Sequence, residues 1–336
     1  MKAMVLEETM GIESNPLHFE DMEKPMPDKH QILIKIISCG VCGSELQMIE
    51  GRWKRFGSPP KLPLIPGHEI IGRVFAYGES VQGFRTGDLV GMQYLWNSCG
   101  KCNFCLNGNE NLCSSASVTG ETVDGGYAEY IVGNEKHVYR MPSGIDPLRD
   151  SPMMGAGITA YRAVKKTMPL DGKTIAIVGA GGIGKMAIQF SKLLGAKVIA
   201  VSRNEANRDI SLRLGADEAF DPGPDYTEAT RIRRTADSVI VFAPSDKAVE
   251  AALKICKKTG KVILGVYATV TDFRFTDEIE VSGTLIANIA ETNESLKLMA
   301  EHKIALDTRV FPLKSANDAL SMLKNSEIHG RAVLQI

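Results

Sequence analysis

The chain has 336 residues, with 39 Lys and Arg against 40 Asp and Glu and a formal net charge of −1. That length supports two domains with cores of their own. The balanced charge argues against nucleic acid or an anionic membrane as partner, and no stretch is apolar for long enough to span a bilayer or form the core of a signal peptide. Residues 1 to about 150 read as mostly β, with short apolar runs such as Gln31–Ile37 and Ile70–Ala76 bounded by Gly and Pro.

An excursion over residues 97–115 carries Cys99, Cys102, Cys105 and Cys113, with Gly100 and Gly108 between them. Four thiolates at that spacing close a tetrahedron around zinc, and a closed four-sulfur site leaves no position for substrate, so it reads as structural. Two disulfides are the competing reading, but the spacing suits a metal and seven cysteines in a chain without an export signal point to a reducing, cytoplasmic setting. A zinc ribbon for nucleic acid is a further alternative, weakened because the lobe sets Glu110 against Lys101 and has no basic run.

From about residue 170 strands and helices alternate. Strands are predicted at Lys173–Val178, Lys197–Val201, Ser238–Phe242, Lys261–Leu264 and Gly283–Ala287, and helices at Ile183–Leu194 and Asp246–Lys257, with Cys256 as a core residue of the latter. Repeated strand–helix units imply a parallel sheet covered on both faces. A helix near Glu294–Glu301 and a last strand at Arg331–Ile336 follow.

Gly179, Gly181, Gly182, Ile183 and Gly184 form a Gly-x-Gly-x-x-Gly turn that leaves a predicted strand and opens a helix. Alone the pattern is weak; in that context it lets pyrophosphate approach a helix N-terminus. The end of the next strand is Ser202-Arg203-Asn204, with no acid to hold an adenosine ribose. Ser202 can donate to a 2′-phosphate and Arg203 can pair with it, which favours NADP over NAD. The plainer reading of Arg203, and of the secondary candidate Arg208, is a solvated surface charge.

Two more motifs complete an order that resembles the zinc-dependent medium-chain alcohol dehydrogenases. They are Cys39-Gly-Val-Cys42-Gly-Ser44-Glu45 and Pro66-Gly67-His68-Glu69, joined by Asp124-Gly-Gly-Tyr-Ala-Glu-Tyr130 and by Gly330-Arg331-Ala-Val near the end. The similarity runs along essentially the whole chain. It implies an α/β protein in which a β-rich, GroES-like catalytic domain (residues 1–154, zinc lobe 97–115, and a return over 289–336) is split around a Rossmann doubly wound sheet (155–288).

The resemblance also assigns roles. Cys42 and His68 hold a catalytic zinc, Glu45 orients His68, and Ser44 bonds the substrate oxygen and relays its proton. Cys39 is a packed side chain. Thr159, Gly265 and Val266 meet the nicotinamide end, and Arg331 pairs with the pyrophosphate. Trp53 and Trp96 stand where relatives place large side chains around the substrate, unless they are ordinary core aromatics. The histidine that ends the proton relay in some relatives is Gln47 here. Gly155 stands where the family places a third zinc ligand, a cysteine, and Met153 and Met154 do not replace it. Glu69 is then the candidate to complete Cys42, His68 and water.

The expected activity is hydride transfer between a nicotinamide cofactor and a primary or secondary alcohol, or its aldehyde or ketone. The alternatives are a zinc-free quinone or enone reductase of the same superfamily and a non-catalytic dinucleotide-binding sensor. A small-molecule substrate and a homo-oligomer, dimer or tetramer, complete the expectation.

Overall fold

The computed structural model describes residues 1–302 and 304–336. Two compact units emerge, one comprising Met1–Gly155 with Asn288–Ile336 and the other Ala156–Ala287. No helix among the described residues is long and apolar enough to cross a membrane.

The first unit is built on a seven-stranded sheet around the long strand Gln31–Val41. This strand pairs antiparallel with Glu69–Tyr77 on one side and with Arg331–Gln335 on the other, while Tyr130–Asn134 pairs with its first half. Ile32, Ile34 and Ile36 alternate inward and are almost fully buried with Ile70, Val74 and Leu334. Each such side chain contributes roughly 1.5–3 kcal/mol on leaving water.

The sequence predicted this strand only to Ile37. It continues to Val41 because Ser38, Cys39 and Gly40 are buried and paired on both sides, which satisfies their backbone groups. The register sets Gly40 opposite Glu69 and Val41 opposite Ala332. Residues from the beginning, first quarter and end of the chain therefore meet at one end of the sheet.

The second unit holds a six-stranded parallel sheet. Its spatial order is Glu218–Phe220, Lys197–Val201, Thr174–Val178, Ala236–Val241, Cys256–Leu264 and Glu280–Gly283, which is 3-2-1-4-5-6 in chain order. The order reverses between Thr174–Val178 and Ala236–Val241, the place where such sheets take ligands. Helices Gly182–Leu193 and Asp246–Ile255 connect successive strands, each with one buried apolar face.

Two predicted boundaries move. Cys256 is core, but it opens a strand rather than closing a helix, because its backbone pairs with Ala236. The outer strand lies at Glu280–Gly283 rather than Gly283–Ala287, since Glu280, Val281, Ser282 and Gly283 face Lys261–Leu264 and exhaust that partner.

Candidate functional site

Cys99, Cys102, Cys105 and Cys113 bring their sulfurs within 4.8 Å of one another. The Cys99–Cys105 and Cys102–Cys105 sulfur separations are 3.9 and 3.5 Å. The edge of a tetrahedron with 2.3 Å zinc–sulfur bonds is about 3.8 Å. Backbone amides already serve the sulfurs. Cys102 N–H donates to the Cys99 sulfur and Cys99 N–H to the Cys113 sulfur, each at 3.3 Å. The amides of Lys101 and Cys102 draw the Cys99 thiol down to about 6, whereas burial pushes Cys105 up to about 11. All seven cysteines are free thiols, which sets the disulfide reading aside. The quartet fits zinc and uses all four of its donors.

A second donor set lies at the end of the first unit's sheet. Cys42, His68 and Glu69 place one ligand atom each within 4.8 Å of the others. Cys42 follows strand Gln31–Val41 and begins helix Gly43–Ile49, and His68 and Glu69 enter strand Glu69–Tyr77. Glu45 spans the two: one carboxylate oxygen accepts from Cys42 N–H at 2.8 Å and the other lies 2.6 Å from His68 Nδ1. That contact fixes the imidazole and leaves Nε2 for the cluster. Burial disfavours the His68 cation, but Glu45 and Cys42 outweigh it and raise its pKa well above the ordinary value. Cys39 is fully buried, its thiol pushed well up by desolvation, and is outside the donor set.

Gly155 is the departure from the expected ligand pattern, and the structure gives it a steric meaning. A Cβ at Gly155 would lie 2.3 Å from Glu69 Oε1, and a Cβ at Gly40 would lie 2.0 Å from Glu69 Oε2. The carboxylate sits in the space that side chains at both positions would need. It is held there by Arg331, whose Nη2 donates to both oxygens at 2.7 and 2.8 Å, with both side chains buried. Burial opposes the guanidinium charge, and Glu69 and Cys42 restore it. Arg331, expected to reach a pyrophosphate, is thus committed to Glu69 within the first unit. A thiolate, an imidazole and a carboxylate that converge form a donor set suited to zinc with an open position.

Ser44 lines a pocket in the same unit with His68, Met48, Trp53, Tyr94 and Glu121. Its Oγ is buried and has no hydrogen-bond partner among the described residues. A buried hydroxyl without a partner costs free energy, which a ligand oxygen at that atom would recover. Trp53 is fastened by its indole N–H to Gln47 Oε1 at 3.1 Å, so Gln47 serves the wall rather than a relay. Trp96 is not among the lining residues. Its indole N–H donates to Val132 O at 2.8 Å and it packs against the core. In its place Tyr94, two residues earlier, joins Trp53 in the lining, its ring centre 5.4 Å from that of His68 in an edge-to-face arrangement. Sequence reasoning chose Trp96 for its size. It had no signal for Tyr94, Thr119 or Glu121, because the irregular pairing of Leu95–Asn97 decides which residues face inward.

In the second unit Gly179, Gly181, Gly182, Ile183 and Gly184 join Thr174–Val178 to helix Gly182–Leu193. Gly179 has φ +98°, and a Cβ there would meet Ala243 N at 2.5 Å; one at Gly184 would meet Gly179 O at 2.2 Å. A Cβ at Gly181, by contrast, meets nothing within 4 Å. The outer glycines are needed by the fold, whereas Gly181 leaves open space beside a helix N-terminus, as a bound pyrophosphate requires.

Ser202 and Arg203 follow strand Lys197–Val201, and the Arg203 guanidinium lies 5.6 Å from the centre of the Tyr226 ring. Arg208 is not a loose surface charge. It donates to the carbonyls of Ser202 and Arg203 at 2.8 and 3.0 Å and pairs with Asp221 at 3.0 Å, which shapes this loop. Gly265 and Val266 follow strand Cys256–Leu264, and Thr159 lies on helix Ala156–Lys165.

Comparison with known proteins matches residues 28–143 to the alcohol dehydrogenase GroES-like domain and residues 182–301 to the zinc-binding dehydrogenase family. An alcohol dehydrogenase of Geobacillus stearothermophilus is 33% identical over 344 residues, covering 100% of both chains. An NAD-dependent alcohol dehydrogenase of Sulfurisphaera tokodaii is 34% identical and covers 99% of both. The structure of the alcohol dehydrogenase from the hyperthermophilic archaeon Aeropyrum pernix superposes with a TM-score of 0.91 at 31% identity, covering 100% of both chains.

Proposed function

The chain belongs to the zinc-type medium-chain alcohol dehydrogenase family, and from that premise we propose that it oxidises a primary or secondary alcohol, or reduces the matching carbonyl, with NADP preferred over NAD. The family supplies the reaction class, a nicotinamide-dependent alcohol–carbonyl oxidoreduction with zinc. The observation that carries the assignment to this site is the partnerless Ser44 Oγ beside His68, in a pocket of the unit where Cys42, His68 and Glu69 converge.

Cys42, His68 and Glu69 are the residues that would hold a catalytic zinc, and the quartet a structural one. When bound, zinc supplies a Lewis acid with an open position, and the nicotinamide supplies the donor or acceptor of hydride. Glu45 keeps His68 in one tautomer and orientation. Ser44 Oγ accepts the hydrogen bond of the substrate hydroxyl, takes its proton during oxidation and releases its own toward water or the cofactor ribose. Trp53 and Tyr94 exclude water from the pocket with their rings.

The glycine turn at 179–184 supports the dinucleotide. The cofactor preference rests on Ser202 and Arg203, with Tyr226 behind the guanidinium. Pairing of two copies along the outer strand Glu280–Gly283, which is flanked by the exposed Phe273, Phe275 and Leu285, is part of the same proposal, as is a reducing cytoplasm for the free thiols. A second reading has one specific observation in its favour. Arg331 takes both Glu69 oxygens, as it would in a metal-free site that reduces enones or quinones.

Steady-state kinetics test the proposal. Alcohol-dependent reduction of NADP is expected to fall by about 10²–10⁴-fold in kcat in Ser44→Ala, with zinc content unchanged. Equal kcat/KM with NAD and NADP would refute the phosphate site. Enone reduction indifferent to chelators, without alcohol turnover, would replace the first reading by the second.

A further inference from the structure

We infer that the substrate of this pocket carries a cationic nitrogen, so that the protein acts on a small amino alcohol and its amino ketone or amino aldehyde; the inference rests on the alcohol dehydrogenase reading and names its substrate class. The pocket is narrow and opens to solvent, which favours a compact molecule over a bulky one. At one end are Ser44 and His68, where the carbinol oxygen belongs. At the other is Glu121, whose Oε2 accepts from the Tyr94 hydroxyl at 2.6 Å. Tyr94 links the two ends, since its ring centre is 5.4 Å from that of His68 while its hydroxyl holds Glu121.

Two carboxylates line this pocket, and they are in different states. Glu45 is matched by His68 and by the Cys42 amide. Glu121 accepts from Tyr94 alone among side chains, and no Lys, Arg or His pairs with it among the described residues. No Lys or Arg lines the pocket. Of the basic loop that carries Trp53, only Trp53 is among the lining residues, and Arg52 pairs with Glu50 at 2.9 Å. The pocket thus presents one uncompensated negative charge beside two aromatic rings, Trp53 and Tyr94. A carboxylate flanked by aromatic faces attracts an ammonium group by both charge and ring quadrupole.

The reaction balances as an ordinary oxidation. The carbinol C–H passes as hydride to the oxidised nicotinamide, the O–H proton leaves through Ser44, and the C–O bond becomes C=O, with the ammonium group unchanged.

The test compares three alcohols of equal size: 1-amino-2-propanol, 1,2-propanediol and 2-butanol. In the wild type, kcat/KM for the amino alcohol is expected to exceed that for 2-butanol by about tenfold or more, with the diol between them. Glu121→Gln is expected to lower the ratio of amino alcohol to 2-butanol by at least that factor. Preference for 2-butanol, or a ratio unchanged in Glu121→Gln, overturns the inference while leaving the dehydrogenase reading intact. So does a preference for the diol that survives the substitution, which would assign Glu121 to neutral hydroxyl recognition.

A turnover-independent measurement separates this from failure of the activity itself. n-Propylammonium should quench indole fluorescence saturably in the wild type and at least tenfold more weakly in Glu121→Gln. Equal quenching in both overturns the inference. Weakened quenching without turnover of any of the three alcohols supports the cation site and rejects the dehydrogenase reading.

Discussion

The cysteine quartet takes its four sulfurs from the single stretch 99–113, whereas the Cys42, His68 and Glu69 cluster is assembled by a sheet whose strands come from opposite ends of the chain. In the first, backbone amides two or three residues away already aim at the sulfurs, so the loop carries its own instructions. In the second, the decisive neighbours are Gly40, Gly155 and Arg331, far from Glu69 in sequence. They make the carboxylate's seat by having no side chain or by supplying a charge. A metal site written in one loop is robust and legible. A site written by strand register is tunable, because a distant residue such as Arg331 can compete for a ligand.

The largest effect expected to break this comparison is in the lobe. Cys113→Ser should remove one zinc equivalent and disorder the lobe, forfeiting an apparent binding free energy on the order of 10 kcal/mol. Elemental analysis and thermal melting check it, and retention of full zinc content would show that the quartet is not a closed site.

Next is Arg331→Met, which leaves Glu69 buried without its partner and should cost about 3–5 kcal/mol, read from denaturant unfolding. If Glu69 is a zinc ligand, added zinc recovers part of that loss. Unchanged stability without metal would mean that the ion pair does not hold the seat.

His137 offers a smaller effect tied to the lobe. It is buried, its Nε2 lies 3.2 Å from Ser98 Oγ, and its Nδ1 has no partner among the described residues. Burial, with Lys136 adding to it, lowers its pKa to about 4. The unfolded chain therefore binds a proton that the folded one refuses. The stability is fully present above pH 6.5 and is lost as pH falls toward 4, by roughly 3 kcal/mol. In His137→Gln that share of the acid sensitivity should vanish from unfolding curves between pH 7 and 4.5; parallel curves would refute it.

The smallest effect sharpens the comparison most. Gly155→Ala adds one methyl against Glu69 and should cost about 1–3 kcal/mol by overpacking, while weakening zinc at the open site in a chelator competition and leaving the quartet's zinc alone. The same occupancy as wild type at both sites would show that Glu69 does not depend on this glycine.

Legibility followed the length scale of the determinant. Thr174–Val178, Lys197–Val201 and the helix after Gly181 were readable because a β-branched run, a glycine turn and an amphipathic helix are local patterns. The strand end at Val41 was not, because Ser38 to Gly40 look like a loop until strands on both sides pair with them. Cys42, Ser44 and His68 were found through the family resemblance, and the register then placed them near one another. Trp96 and Tyr94 exchanged places because pocket lining depends on an irregular pairing with Ser117–Val118 that no periodicity announces.

The sequence by itself determined the fold class, the four-cysteine cluster and the glycine turn at 179–184, since each is specified by residues within one or two elements. Only the tertiary structure decided what Glu69, Gly155, Arg331 and Glu121 do. A carboxylate's role is set by which charge and how much room surround it. Here those are fixed by Arg331 and two glycines for Glu69, and for Glu121 by a pocket that supplies a phenol but, among its described lining residues, no Lys or Arg.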